Sequence, residues 1–141
     1  KEARTNLEDI QRRLFKLTIS LLKEKYGVDG DKWWWEGVPL KIREDCLKRQ
    51  NEDQGAKEKE QYLDLIDYHA IASHDWDYFK DYFSFSKDGG KKQQLDWIVK
   101  LNKIRQTTHH PEKWPATKDQ VAFVREYYSK IMERFTLPEE K

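Results

Sequence analysis

The sequence has very little cysteine. Cys46 is the only one, so the chain cannot form an internal disulfide, and chains of this kind fit a reducing compartment. The sequence also has no apolar run near the roughly 20 residues that a membrane-spanning helix needs. Its first residues lack the apolar stretch of a signal peptide. We therefore expect a cytoplasmic protein without a membrane partner.

The chain also lacks an excess of charge of either sign. Lysine and arginine number 27 and the acidic residues 26, so the net charge is +1 and no overall basic field indicates a nucleic-acid or membrane partner. No glycine-rich phosphate loop is present, and the pair Gly89-Gly90 predicts a connector. His69 and His74 are five residues apart, which turns them away from each other on a helix. We therefore expect no metal and no cofactor.

Aromatic residues are plentiful, with six Trp, seven Tyr and six Phe. Their burial can offset the entropy of ordering a chain in which 38% of the residues are charged. At 141 residues, one domain is expected. We place it at residues 5–136, with flexible ends at 1–4 and 137–141. The chain begins with Lys1 and both ends are charged, so we expect it to be part of a larger parent chain with other domains.

Apolar residues recur at spacings of three and four along most of the sequence, which predicts helices. Thr5 with Glu8, and Thr117 with Gln120, form capping boxes, and Asp75 can cap a short helix. Strand-like alternation is weak. The predicted fold is an all-α antiparallel bundle of five or six helices, which fall within residues 5–26, 39–54, 57–73, 76–83, 91–108 and 117–135.

One predicted helix, at 91–108, has a polar interruption on its apolar side. At 100° per residue, Asn102 and Arg105 fall within the arc of Leu95, Ile98 and Leu101. A buried guanidinium needs a carboxylate, a chain-end carbonyl, a subunit interface or an anionic ligand. Asp64 or Asp67 could be its partner.

The helix ends in "THHP". Pro111 disfavours helical geometry at His110, which could then either swing towards Arg105 or simply cap the helix end.

Two other features have structural and functional interpretations. The segment "KWWWEG" could stack nucleic-acid bases, but its position after a glycine-terminated helix favours a plug at the end of the bundle, where one indole could lie at an interface. Cys46 lies among charged neighbours with no histidine in a legible catalytic arrangement, so a reactive thiol is not expected.

The segment "LNKIRQTTHHP" between two amphipathic helices resembles the signature of HEPN domains (higher eukaryotes and prokaryotes nucleotide-binding). That signature is an arginine and a histidine separated by four to six residues, often with a polar residue after the arginine and "HP" at the end. Here Arg105, Gln106, His110 and Pro111 match it, with glutamine where asparagine is usual. The upstream segments "WWWEGVPLKIREDCLKRQNED" and "YLDLIDYHAIASHDWDYFKDYF" are similar to the subgroup attached to large ATPase, nuclease or defence proteins.

The resemblance implies metal-independent RNA cleavage at a site built across a homodimer. It assigns His110 as the acid or base, Arg105 as the phosphate clamp and Asn102 as its polar support. His109 could supply a second imidazole within one chain. Histidine suits proton transfer near neutral pH, and arginine binds phosphate through a planar fork. Lys100 and Lys103 could contact the RNA backbone, or serve only as solubilising charges.

Many HEPN domains are accessory modules attached to another catalytic unit. Because Gln106 replaces asparagine and the net charge is near zero, we expect an accessory domain that mediates dimerisation, RNA binding or both. The alternative is an active endoribonuclease.

Overall fold

The computed structural model describes residues 2–108 and 116–135, and this part of the chain is all-helical. It contains seven α-helices and no strand. Short 3-10 turns occupy Asp29–Asp31 and Lys59–Tyr62. The α-helices are α1 (Glu2–Tyr26), α2 (Lys32–Gly37), α3 (Leu40–Glu52), α4 (Leu65–His74), α5 (Trp76–Phe83), α6 (Lys91–Thr108) and α7 (Lys118–Arg134).

Helix α1 is the central element, since it packs against α2, α4, α6 and α7. Its apolar stripe is buried along its length, including Leu7, Ile10 and Leu14. The helix begins at Glu2, so Thr5 lies inside it rather than at its cap. Residues 2–4 of the predicted flexible end are therefore helical, whereas residues 137–141 lie outside the described part. No described helix is both long and apolar enough to cross a bilayer.

Residues 2–108 and 116–135 contain one more helix than the predicted maximum of six. The extra helix, α2, is built from the tryptophan segment: Trp33 and Trp34 are buried with their rings edge to face, 5.8 Å apart. Its last residue, Gly37, packs so closely on α1 that an added Cβ would lie 2.6 Å from Leu22 Cδ2. The burial expected of the tryptophan segment is confirmed for these two indoles.

The predicted helix at 57–73 starts too early. Leu63 and Asp64 are extended, and α4 begins only at Leu65. Asp64 and Asp67 form a reciprocal capping box, with Asp67 Oδ2 accepting from the Asp64 amide at 2.8 Å. The helix starts here because these two carboxylates satisfy its first amide groups.

Helix α6 buries its apolar arc within its own chain. Leu95, Ile98 and Leu101 are fully buried, and α6 packs mainly on α4, with further contacts to α1, α5 and α7. The arc is therefore buried inside the domain and is not available as an interface for a second copy.

Candidate functional site

Arg105 lies in the last turn of α6 and is half-buried. Its Nη2 atom donates to Asn102 Oδ1 at 3.3 Å, so Asn102 contacts the guanidinium as predicted. Its Nε atom is buried and has no hydrogen-bond partner among the described residues. A buried N–H of a charged group is costly to leave unsatisfied, which makes this donor a candidate for ligand binding.

Arg105 lines a cavity of about 200 Å³ between α1 and α6. The lining residues are Arg4, Leu7, Glu8, Gln11, Arg105 and Thr108. Glu8 is the one carboxylate of this lining, and Arg4 Nε lies 3.4 Å from its Oε1. The polar side chains and the excess of one cation suit a small anionic group better than an apolar ligand.

The predicted pairing of Arg105 with Asp64 or Asp67 is wrong. Both carboxylates face Arg49 of α3: Arg49 Nη1 lies 2.8 Å from Asp67 Oδ2, and Arg49 Nη2 lies 3.6 Å from Asp64 Oδ2. Arg49 Nη1 also donates to the Tyr62 carbonyl at 2.7 Å. Helical spacing could not reveal this partner, because the contact joins three separate elements.

The end of α6 satisfies part of its own backbone. Thr107 Oγ1 donates to the Ile104 carbonyl at 2.8 Å, and Thr108 Oγ1 donates to the Arg105 carbonyl at 3.0 Å. The predicted catalytic residues His109 and His110 lie outside the described residues. Their position relative to Arg105 stays a prediction.

The two predicted RNA-contacting lysines lie on the outer face of α6. Lys100 Nζ lies 3.3 Å from Asp96 Oδ2 and 5.8 Å from the centre of the Phe123 ring. Lys103 is exposed. Lys100 is thus partly neutralised, and its RNA contact, like that of Lys103, stays a prediction.

The third tryptophan of the segment is exposed. Trp35 is 57% exposed, with the Arg43 guanidinium 5.3 Å from the centre of its ring. Leu40 and Leu47 of α3 are 59% and 56% exposed and line the same groove. We call Trp35, Leu40 and Leu47 the apolar patch. Contiguous exposed side chains of this size are typical of a protein interface.

Other chemically suggestive residues have structural roles. Cys46 is fully buried, and burial raises the pKa of its thiol to about 12. Burial lowers the pKa of His69. The Asp75 carboxylate does not cap α5, because it accepts from Lys25 Nζ at 2.6 Å and from Tyr26 Oη at 2.9 Å. The described residues contain no group of three or more potential metal ligands.

A second polar cavity, which was not predicted from the sequence, lies at the N-terminal end of α6. We call it the basic cavity. Its lining includes four cations, Lys80, Lys87, Lys91 and Arg134. The signal in the sequence is "KDGGKK", in which lysines flank a glycine pair.

The chain matches no protein-family model, no curated protein sequence and no solved structure.

Proposed function

We propose that this chain is a HEPN-like accessory domain that binds RNA through a backbone phosphate at the Arg105 cavity. The observation that carries the proposal is the buried Arg105 Nε without a hydrogen-bond partner in the described part of the chain. Arg105 is one of the residues that line the cavity, and Asn102 accepts a hydrogen bond from its Nη2 atom.

Phosphate chemistry fits this arrangement. A guanidinium offers five donors in a rigid fork, and phosphate oxygens accept two of them side by side. Asn102 fixes one Nη atom, which reduces the entropy lost when a ligand binds. Glu8 would repel an anion, but Arg4 lies within ion-pair distance of it.

Binding of a labelled single-stranded RNA tests the proposal. Arg105→Ala should weaken binding about tenfold or more, because a charged hydrogen bond to phosphate is lost. Lys57→Ala is the control, since Lys57 is an exposed cation that lies outside α6 and lines neither polar cavity. Equal affinities of the Arg105→Ala and Lys57→Ala variants would remove Arg105 from the site.

The second candidate is a metal-independent endoribonuclease, supported by the sequence motif that places His109 and His110 after Arg105. To test this function, structured RNA is incubated in EDTA with the unmodified chain and with the Arg105→Ala and His110→Ala variants. Cleavage that both substitutions abolish favours the nuclease. If the RNA stays intact with the unmodified chain, the nuclease is excluded and the accessory role is favoured.

We also propose that the domain dimerises, through the apolar patch rather than through α6. Leu40 and Leu47 are two turns apart on α3, and Arg43 and Glu44 flank them on opposite sides at 100° per residue. If two copies of α3 run parallel to each other and are related by a two-fold axis, their leucines would pack together. The same arrangement would bring Arg43 of one copy beside Glu44 of the other. This charge complementarity supports a second copy as the occupant.

Light scattering over a range of protein concentrations tests the dimer. Leu47→Lys should give a monomer, whereas Val28→Lys, at an exposed apolar residue outside the apolar patch, should leave the mass unchanged. Glu44→Arg should weaken the dimer, and Arg43→Glu in the same chain should restore it. If the unmodified chain is monomeric at every concentration, the dimer proposal is refuted.

A further inference from the structure

The basic cavity has a volume of about 400 Å³. It lies where the end of α5, the connector 84–90, the start of α6 and the end of α7 meet. The four cations that line it are exposed, and Asp81 is the one carboxylate among the lining residues. Positive charge is therefore concentrated here in a chain whose net charge is only +1.

These cations differ from many others in the described part of the chain. Eight other described cations lie between 2.6 and 3.3 Å from a carboxylate: Arg12, Lys25, Lys41, Arg49, Lys59, Lys100, Arg125 and Lys130. By contrast, Lys87, Lys91 and Arg134 form no ion pair with a described carboxylate, and Lys80 reaches Asp77 only at 4.0 Å.

Two of the cations are held in place by contacts that leave their charge uncompensated. Lys91 Nζ donates to the Ser73 carbonyl at 3.3 Å. Arg134 Nη1 donates to the Ser84 carbonyl, and its guanidinium lies 4.4 Å from the centre of the Phe85 ring. Carbonyl and ring contacts position a cation without cancelling its net charge, so an anion can still bind.

The connector that forms one wall is also fixed. Gln94 is buried, and its Nε2 atom donates to the carbonyls of Ser86 and Asp88 at 2.8 and 2.6 Å. Gly89 has φ of 90°, and a Cβ there would lie 2.7 Å from Gln93 Cβ. The connector therefore holds Lys87 close to the first turn of α6, whose dipole adds to the positive potential.

We propose that the basic cavity binds a phosphate group, carried by a nucleotide or by a nucleic-acid strand. Three cations without carboxylate partners can neutralise a phosphate, which carries more charge and more acceptor oxygens than a carboxylate. The indole of Trp76, which also lines the cavity, offers an apolar surface for a base or a sugar.

This site is independent of the Arg105 cavity. Lys91 and Arg105 lie fourteen residues apart in α6, which corresponds to about 21 Å along the helix axis. Failure at one site therefore leaves the other proposal standing.

Titrations of the isotope-labelled chain, followed through its backbone amide resonances, test the proposal. The probes are inorganic phosphate, adenosine monophosphate and a short RNA with a 5′-hydroxyl, each at constant ionic strength. We expect saturating shifts of the amide resonances of residues 84–92. Shifts with the RNA alone identify a backbone phosphate as the ligand, and shifts with the mononucleotide identify a terminal phosphate.

The double variant Lys87→Ala/Lys91→Ala should bind the effective probe about tenfold more weakly, because two uncompensated cations are removed. The control Lys41→Ala/Lys130→Ala removes two cations that already have carboxylate partners, so it should bind the probe as tightly as the unmodified chain does. The Arg105→Ala variant should also retain the shifts. Shifts no larger than those caused by sodium chloride, or equal affinity in both double variants, would overturn the proposal.

Discussion

The Nη1 atom of Arg49 lies 2.8 Å from Oδ2 of Asp67, a carboxylate that is almost fully buried. This contact ties α3 to the start of α4. The carboxylate that the sequence offered as a partner for Arg105 is therefore engaged by a different arginine.

Removing the cation from this pair should destabilise the fold. Arg49→Met leaves the buried Asp67 carboxylate without its guanidinium and the Tyr62 carbonyl without its donor. We expect a loss of about 1–3 kcal/mol, below the value for a fully buried pair because Arg49 is partly exposed. Urea unfolding measures this loss. Lys48→Met, at an exposed neighbour on α3, should change the stability by less than about 0.5 kcal/mol.

The Asp9 carboxylate predicts how stability depends on pH. Burial raises its pKa, but hydrogen bonds from Arg12 and from Tyr128 of α7 outweigh burial and hold it below the ordinary value of 3.8. Because the folded-state pKa is the lower one, the carboxylate stabilises the fold above the unfolded pKa. This contribution is lost as the pH falls through the folded-state pKa.

Asp9→Asn should therefore lower Tm at pH 7 by about 3 °C and reduce the fall in Tm below about pH 4. Thermal melts from pH 2 to pH 7 measure both effects. Asp77→Asn is the control, since the Asp77 side chain is fully exposed and its Oδ1 atom lies 4.0 Å from Lys80 Nζ. An unchanged acid limb in Asp9→Asn would contradict the prediction.

The close packing of α2 on α1 predicts that Gly37 cannot be enlarged. A Cβ at this position would lie 2.6 Å from Leu22 Cδ2 and 2.9 Å from the Tyr26 ring. We expect Gly37→Ala to cost about 1–3 kcal/mol through overpacking. In Gly90→Ala the nearest atom to the new Cβ is the Gln93 side-chain oxygen at 3.5 Å. Gly90→Ala should therefore have nearly the stability of the unmodified chain. Differential scanning calorimetry of the two variants measures both effects.

The buried thiol of Cys46 should be unreactive in the folded chain. Its pKa, raised to about 12 by burial, leaves almost no thiolate at pH 8. Iodoacetamide at pH 8 should label the chain only after denaturation, as mass spectrometry can show. Rapid labelling of the native chain would mean that α3 opens locally.

The sequence predicted the long helices well because their apolar residues repeat with the helical period. Helices α6 and α7 lie where the spacing placed them, and Thr117 and Gln120 form the predicted capping box of α7. The prediction was wrong at 57–64, where a high proportion of helix-forming residues outweighed the Asp64–Asp67 cap signal. Helix α2 was missed because six residues are too few to show a period.

The sequence by itself determined the helical class, the inward face of α6 and the position of Arg105 on that face, because each depends on residues a few positions apart. Only the tertiary structure decided which ion pairs join different helices and which cations stay without a carboxylate. Such pairs join residues far apart in the chain: Arg49 reaches Asp67, while Lys87, Lys91 and Arg134 converge on one cavity. Charge compensation depends on distances in space, and the local sequence does not contain them.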